Sequence, residues 1–204
     1  MFRVNCAGFS TTELRRADVI PPLPINHRSK VMTQYSKRMV IVHWLTLAVL
    51  IAAWFLGDVV HDARKAGGAD IAGYVLHAAV GGAVLLLTLA RLFFRREDGV
   101  PAPVGTTLMD KVAKGIHHAL YTVLILLPVS GMMQVLTSDV GKAIAAGDVT
   151  LLPSKFDGVP AHEVHEVLVT VLIALVVVHV LGALKHQFVM KDSLMERMSL
   201  RRKD

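Results

Sequence analysis

The residues best suited to metal chemistry in this sequence are histidines that lie in or beside long apolar stretches. Ten histidines are present, and the informative ones are His43, His77, His117, His118, His165 and His179. Ionisable side chains at membrane depth are costly, so they indicate function by default. A single such histidine is more often a hydrogen-bond partner between helices than a ligand. The spacing of several histidines therefore decides between the two roles.

His165 and His179 are fourteen residues apart. At about 100° per residue, a helix returns to within about 40° of the same face over this interval, and it rises about 21 Å. Two imidazoles that face one way at two depths predict two separate centres. A single zinc or copper site needs three or four ligands within a few ångströms of one another. We therefore set that alternative aside.

The elements that position these histidines are four stretches without Asp, Glu, Lys or Arg. They are Met39–Gly57, Ile71–Ala90, Gly115–Ser138 and Val167–Leu184. Each approaches the roughly 20 residues that cross about 30 Å of hydrocarbon as a helix. The chain is 53% hydrophobic with a mean hydropathy of +0.52. We predict an all-α integral membrane protein, a four-helix bundle with helices at about 37–59, 71–94, 112–137 and 162–188.

The distribution of basic residues predicts the orientation of the bundle. Of the 22 Lys and Arg residues, 18 lie before the first helix, between the second and third, or after the fourth, and four lie in the other two loops. Positive residues favour the cytoplasmic side, so both termini are predicted to be cytoplasmic. Because the basic residues flank membrane spans, no nucleic-acid partner is expected.

This orientation places the histidines at two levels. His43 lies near the cytoplasmic surface and His77 near the outer surface. The fourth helix enters from outside, so His165 lies at the outer level and His179 at the inner one. The predicted pairs are His77 with His165 and His43 with His179. Two histidines that approach one iron from opposite helices form a bis-histidine haem, and a four-helix bundle is a common scaffold for it.

Glycine and cysteine usage bear on the same prediction. Gly73 and Gly81 lie four residues either side of His77, where they would let a porphyrin approach the backbone; close helix packing is the alternative. The single cysteine, Cys6, excludes a cysteine-ligated iron–sulfur cluster and covalent haem through a C-x-x-C-H motif. Residues 1–31 are predicted to be a disordered leader or a mis-assigned start before Met32, and residues 32–204 to be the membrane domain.

The motifs along the chain resemble the bacterial cytochrome b-561 family. The resemblance is carried by Tyr35-Ser36, Ile41-Val42-His43-Trp44, Leu76-His77 with Gly81-Gly82, Arg91, His117, Tyr121, Leu127-Pro128-Val129-Ser130-Gly131, His165-Glu166, His179 and His186. The family is related to the cytochrome b subunits of membrane-bound hydrogenases and formate dehydrogenases. Resemblance implies two b-type haems as cofactors, with His43, His77, His165 and His179 as axial ligands, in the bacterial inner membrane.

Resemblance also implies ubiquinone or another quinone as a substrate at one end. The residues that collect near the cytoplasmic haem level are Arg38, Trp44, Arg91, Lys185 and His186. Each has an ordinary alternative: Trp44 as an interfacial aromatic, and the basic residues as snorkelling groups or partners of haem propionates. His117 matches the family pattern, and an interhelical hydrogen bond would explain it equally. No residue is assigned a catalytic role.

Three functions remain open at this stage. The first is a self-contained quinone-linked oxidoreductase, of which superoxide:ubiquinone chemistry is one form. The second is a cytochrome b anchor subunit that relays electrons from a partner dehydrogenase or hydrogenase, and the third is a non-redox membrane transporter. Only four basic residues stand against six Asp in the outer loops, which disfavours an anionic donor such as superoxide. The expected partners are membrane lipid, quinone, and superoxide or a redox protein, with a homodimer left open.

Overall fold

The computed structural model describes residues 34–102, 105, 107–192 and 194–201. The predicted leader, residues 1–31, lies outside the described residues. The helices are α1 (Lys37–Lys65), α2 (Ile71–Asp98), α3 (Leu108–Thr137), α4 (Asp139–Ala146) and α5 (Pro160–Leu184). A π-helical turn, Lys185–Met190, continues α5, and short 3-10 turns cover Val149–Leu151 and Leu194–Met198. Within the described part of the chain there is no strand, which confirms the all-α prediction.

Four helices are long and apolar enough to cross a membrane, namely α1, α2, α3 and α5 with its π-helical turn. They extend beyond the predicted spans because charged residues continue the helix past the hydrocarbon-length segment. The α1 helix runs to Lys65 and stops before Gly67, whose φ of 74° is left-handed. The α2 helix runs to Asp98 and stops at Gly99, with φ 73°. Glycine tolerates this conformation without steric cost.

Side chains at the helix starts satisfy the free backbone N–H groups. Ser36 accepts a hydrogen bond from the Met39 backbone N–H at 3.3 Å. Asp70 accepts one from Gly73 at 2.6 Å, and Thr107 forms a capping box with Asp110. These caps set where three of the four spanning helices begin.

The helices pack as pairs around a small apolar core. The α1 helix packs chiefly against α2, and α3 against α5, while α2 also contacts α3. The shared core contains Ala53, Val84, Val123, Leu124 and Leu172. Many other apolar side chains point outward; Leu86, for example, is 69% exposed. Such a surface suits lipid, because the hydrocarbon of a bilayer is as apolar as the side chains that it covers.

One end of the bundle carries the α4 helix and a second apolar cluster, and the other end, within the described residues, does not. We call the end where α1 and α3 begin, and α2 and α5 end, the basic end, and the opposite end the loop end. The long connection after α3 contains the α4 helix, which Ser138 caps at its start and Gly147, in a left-handed conformation, caps at its end. Tyr74, Val140 and Phe156 form a second apolar cluster at the loop end.

Candidate functional site

The structure brings four of the histidines together as two pairs at different depths. The rings of His77 on α2 and His165 on α5 have centroids 6.3 Å apart, with an interplanar angle of 81°. The rings of His43 on α1 and His179 on α5 have centroids 6.5 Å apart, at 70°. These are the pairs that the sequence predicts. We call them the loop-end pair and the basic-end pair.

Both separations fit a metal ion held between two imidazoles. A metal–nitrogen bond is about 2.0–2.1 Å long, and the nitrogen lies about 1.1 Å from the centroid of its ring. Two imidazoles on opposite sides of one metal ion therefore have centroids about 6.3 Å apart. His117 on α3 also faces His179, but these centroids are only 5.1 Å apart, too close for an iron between them. The pair His43–His179 therefore suits a metal ion at this level better than His117–His179 does.

Hydrogen bonds to α3 orient His165. Its Nδ1 lies 3.1 Å from the backbone oxygen of Leu127 and 3.0 Å from Oγ of Ser130. The Ser130 hydroxyl itself donates to the Leu127 oxygen at 2.7 Å. A proton on Nδ1 would satisfy the carbonyl and leave Nε2 unprotonated. Such a backbone partner fixes the tautomer and the ring orientation of a ligating histidine.

Two glycines to which the sequence alone gave no individual role, Gly57 and Gly131, make room for the loop-end pair. A β-carbon on Gly131 would lie 3.1 Å from Cε1 of His165, and one on Gly57 would lie 2.9 Å from Cε1 of His77. The backbone of Ala53, one turn before Gly57, interacts with His77, although Nδ1 of that ring lacks a partner with good hydrogen-bond geometry. Both rings are placed in the same way. The His165 ring contacts Gly131, one turn after Leu127, and the His77 ring contacts Gly57, one turn after Ala53.

The glycines predicted beside His77 behave differently from one another. A β-carbon on Gly73 would meet Oδ1 of Asp70 at 2.9 Å and Cγ2 of Val60 at 3.2 Å, so Gly73 serves the close packing of α2 on α1. A β-carbon on Gly81 would meet nothing within 4 Å. The open space beside Gly81 is what a porphyrin edge would require.

An arginine lies beside the basic-end pair. Arg91 on α2 is within electrostatic reach of His43, His117 and His179, and its Cζ lies 5.5 Å from the ring centroid of Tyr121. Its Nε is buried and has no hydrogen-bond partner among the described residues. A buried donor without a partner is costly, so this arginine is suited to an anionic or carbonyl ligand.

Two other residues predicted near a quinone are engaged elsewhere. Arg38 is paired with Asp98, with Nε 2.8 Å from Oδ2, and its guanidinium lies 4.6 Å from the Phe94 ring centroid. The Trp44 indole N–H donates to the Met198 backbone oxygen at 3.1 Å, which holds the chain's final described turn against α1. The polar groups of Arg38 and Trp44 therefore do not point toward the His43–His179 pair. The Trp44 ring does pack edge-on against the His43 ring, with centroids 5.2 Å apart.

The remaining two predicted residues lie in the π-helical turn after α5. His186 Nδ1 is 2.5 Å from Oδ2 of Asp192, and this hydrogen bond lowers the pKa of Asp192 below its usual value. Lys185 is exposed. Of the five candidates for a quinone site, Arg91 is therefore the one whose charged group faces the basic-end pair.

The described residues offer no group of three or more His, Cys, Asp or Glu side chains that could hold a metal ion by themselves. A pair of imidazoles with space between them instead suits a metal ion whose other ligands are supplied by a cofactor. Four apolar helices with histidines paired across them at two depths define a membrane cytochrome of the b type.

Comparison with known proteins agrees with this architecture. The family described as prokaryotic cytochrome b561 matches residues 34–199. A curated relative named cytochrome b562, from Cereibacter sphaeroides, is 33% identical over 174 residues, which covers 82% of this chain and 98% of the relative. No solved structure matches the chain. The chain belongs to the prokaryotic cytochrome b561 family, which carries out electron transfer in membranes with b-type haem.

Proposed function

We propose that this chain holds two b-type haems and links an electron donor at its loop end to a quinone at its basic end, in the bacterial inner membrane. The observation that carries the proposal is the pair of histidine separations, 6.3 Å and 6.5 Å, each matching a metal clamped by two imidazoles. Both termini are assigned to the cytoplasm from the bias of basic residues. The family itself argues against the non-redox transporter.

Haem b, when bound, supplies reversible one-electron redox chemistry at its iron. The residues of the chain determine what that iron can do. With two imidazoles to hold it at each centre, the haem would be suited to electron relay rather than to oxygen binding. The Leu127 carbonyl lies 3.1 Å from Nδ1 of His165. A hydrogen-bond acceptor at this position raises the basicity of the imidazole as a metal ligand.

The basic end offers the groups that a quinone needs. Reduction of a quinone to a quinol consumes two electrons and two protons. Arg91 has a buried, unpartnered N–H beside the pair, suited to donate to a quinone carbonyl, and His117 supplies a protonatable ring 5.1 Å from that of His179. The apolar outer surfaces of the helices around them accommodate an isoprenoid tail.

The donor at the loop end is either superoxide or a partner protein, and charge favours the second. Eight carboxylates occupy the loop-end region, against the four basic residues Arg64, Lys65, Lys142 and Lys155. The carboxylates are Asp58, Asp62, Asp70, Asp139, Asp148, Asp157, Glu163 and Glu166. An excess of negative charge slows the approach of an anion and attracts a basic protein surface. The second candidate function is accordingly an anchor that receives electrons from a partner dehydrogenase.

Haem content measured on ligand variants tests the proposal. The purified full-length protein should show sharp b-type bands and two haems per chain. His77→Ala and His165→Ala should each lose the loop-end haem, and His43→Ala and His179→Ala the basic-end haem. His118→Ala is the matched control, because His118 is exposed and, among the residues described, its ring bonds only the Lys114 carbonyl of its own helix, at 2.7 Å. A colourless protein, or unchanged haem content in the ligand variants, would refute the assignment.

A further inference from the structure

A group of cationic and aromatic side chains lies at the loop end, outside the histidine pairs. Arg64 on α1 donates to the Ser154 backbone oxygen at 2.9 Å and contacts Nδ1 of His61 at 3.3 Å. Its Cζ lies 5.1 Å from the ring centroid of Phe156. The Phe156 ring also packs against His162 on α5, with centroids 4.4 Å apart. We call Arg64, His61 and His162, with Phe156 between them, the Arg64 cluster.

The arginine of this cluster has no carboxylate partner among the described residues. Its two hydrogen bonds use a backbone oxygen and a ring nitrogen of His61, whereas a guanidinium carries five N–H donors. Glu166 is paired with His162 instead, with Nε2 3.2 Å from Oε1. Most of the donor capacity of Arg64, and its full positive charge, are therefore available to an anion.

Buried polar atoms without partners surround the same place. Tyr74 on α2 is only 8% exposed, and its hydroxyl has no hydrogen-bond partner among the described residues. Nδ1 of His162 is also buried, and it too has no hydrogen-bond partner in the described part of the chain. Tyr74 and His162 are both within electrostatic reach of Arg64. Buried polar atoms that lack partners need an explanation, and a polar ligand that enters between these helices would supply one.

The cluster lies about one to two helical turns from the loop-end pair, on the side of the loops. Tyr74 and His162 each precede a member of the pair, His77 or His165, by three residues, which is about 4.5 Å along a helix. On α1, His61 and Arg64 follow Gly57, the glycine on which His77 rests, by four and seven residues. Three helices thus place polar groups on one side of the same metal level.

We infer that the Arg64 cluster binds the propionate carboxylates of the haem held by His77 and His165, an inference that rests on the proposed function. Haem b carries two carboxylate arms on one edge of an otherwise apolar ring. Guanidinium groups bind carboxylates in a two-point geometry that combines charge with hydrogen bonding. Arg64 would also orient the ring, because the carboxylate edge must then face the loop end.

A purely structural role for Arg64 predicts different behaviour. In that case the side chain serves only to hold the connection before α5, through Ser154 and Phe156, and the charge is incidental. Removing the charge would then alter stability and leave the redox properties of the loop-end haem unchanged. Two measurements distinguish the roles. One is the midpoint potential of the loop-end haem, and the other is the preference of the protein for haem over haem dimethyl ester, which lacks free carboxylates.

The experiment compares Arg64→Gln and Arg64→Lys with Lys65→Gln, a change of the neighbouring exposed charge. Optical redox titration identifies the loop-end haem as the component lost in His77→Ala. Removing a nearby cation disfavours the more electron-rich reduced state, so the midpoint potential of this haem should fall in Arg64→Gln. It should fall less in Arg64→Lys, which keeps the charge, and stay unchanged in Lys65→Gln.

Loading the haem-free full-length protein with haem or with haem dimethyl ester provides the second readout. The native chain should retain haem more tightly than the ester at the loop end, and Arg64→Gln should retain the two equally. Equal retention by the native chain, or a potential in Arg64→Gln that matches Lys65→Gln, would overturn the inference. Because the native chain can be tested alone, poor folding of a variant does not remove the test. Absence of a loop-end haem from the native protein would instead refute the proposed function.

Discussion

The imidazole of His165 rests on Gly131, where a β-carbon would lie only 3.1 Å from its Cε1 atom. A methyl group there must displace either the ring or the α3 backbone. We expect Gly131→Ala to lower the occupancy of the loop-end haem several-fold while the basic-end haem stays bound. Haem content and absorbance bands of the purified variant provide the measurement.

Gly115→Ala is the control for this change, since a β-carbon at that α3 position would meet nothing within 4 Å. Alanine in an exposed helix position is favoured over glycine by about 1 kcal/mol, so this variant should be as stable as the native protein or more so. Equal loop-end haem in Gly131→Ala and Gly115→Ala would show that the close approach is tolerated.

The hydroxyl of Ser130 shares the Leu127 carbonyl with His165, at 2.7 Å and 3.1 Å respectively. Removing it in Ser130→Ala leaves the carbonyl to the imidazole alone, which makes that ring a stronger electron donor. We expect the loop-end haem to be retained and its midpoint potential to fall. The stability cost should be about 1 kcal/mol, typical of one hydrogen bond.

Thr122→Ala offers a comparison at an exposed α3 position, where the hydroxyl bonds only the His118 carbonyl of its own helix. Potentiometric titration of the two variants should separate them, with no shift in Thr122→Ala. A shift of the basic-end haem in Ser130→Ala would contradict the local explanation.

His117 tests the choice between two histidines at the basic end. Its ring is nearer to His179 than the ring of His43 is, 5.1 Å against 6.5 Å, but only the longer separation accommodates an iron. His117→Ala should therefore keep both haems. Quinone reduction should slow if His117 serves as the protonatable group there. Loss of the basic-end haem in this variant, with its retention in His43→Ala, would assign the ligand to α3 instead.

Arg91 is expected to act on the quinone. In Arg91→Gln the buried donor beside the basic-end pair loses its charge, so the KM for quinone should rise and the haem content should be kept. Steady-state assays with a water-soluble quinone measure the change. Arg96→Gln, at an exposed position one turn further along α2, is the control. An unchanged KM in Arg91→Gln, with a shifted basic-end potential, would assign Arg91 to that haem's propionates alone.

The depth of the paired histidines could be predicted from the sequence better than their surroundings. Depth follows from residue number along a helix, so His165 and His179 place two levels on α5 without knowledge of the other helices. The contacts of Gly57 and Arg64 depend on the rotation of α1 about its axis relative to α2 and α5. A uniformly apolar helix has no hydrophobic periodicity from which this rotation could be predicted. The α4 helix was within reach of prediction, because Ser138-Asp139 and Gly147 are typical start and stop residues.

Polar groups elsewhere in the chain bind three of the side chains that were predicted to lie near a quinone. Arg38, Trp44 and His186 were grouped by sequence position near the same membrane surface. In the folded chain Asp98, the Met198 carbonyl and Asp192 occupy their polar atoms. These contacts join residues between six and 154 positions apart, and only the three-dimensional arrangement of the chain's ends produces the longer ones.

The α5 helix contributes one imidazole to each pair, at both depths. In the proposed two-haem protein, any tilt or axial rotation of this one helix would displace a ligand of both centres together, so the two irons could not be adjusted one at a time from this side. A thicker bilayer, or a neighbouring subunit pressed against α5, would tune both potentials in concert, whereas movements of α1 or α2 would alter one centre each.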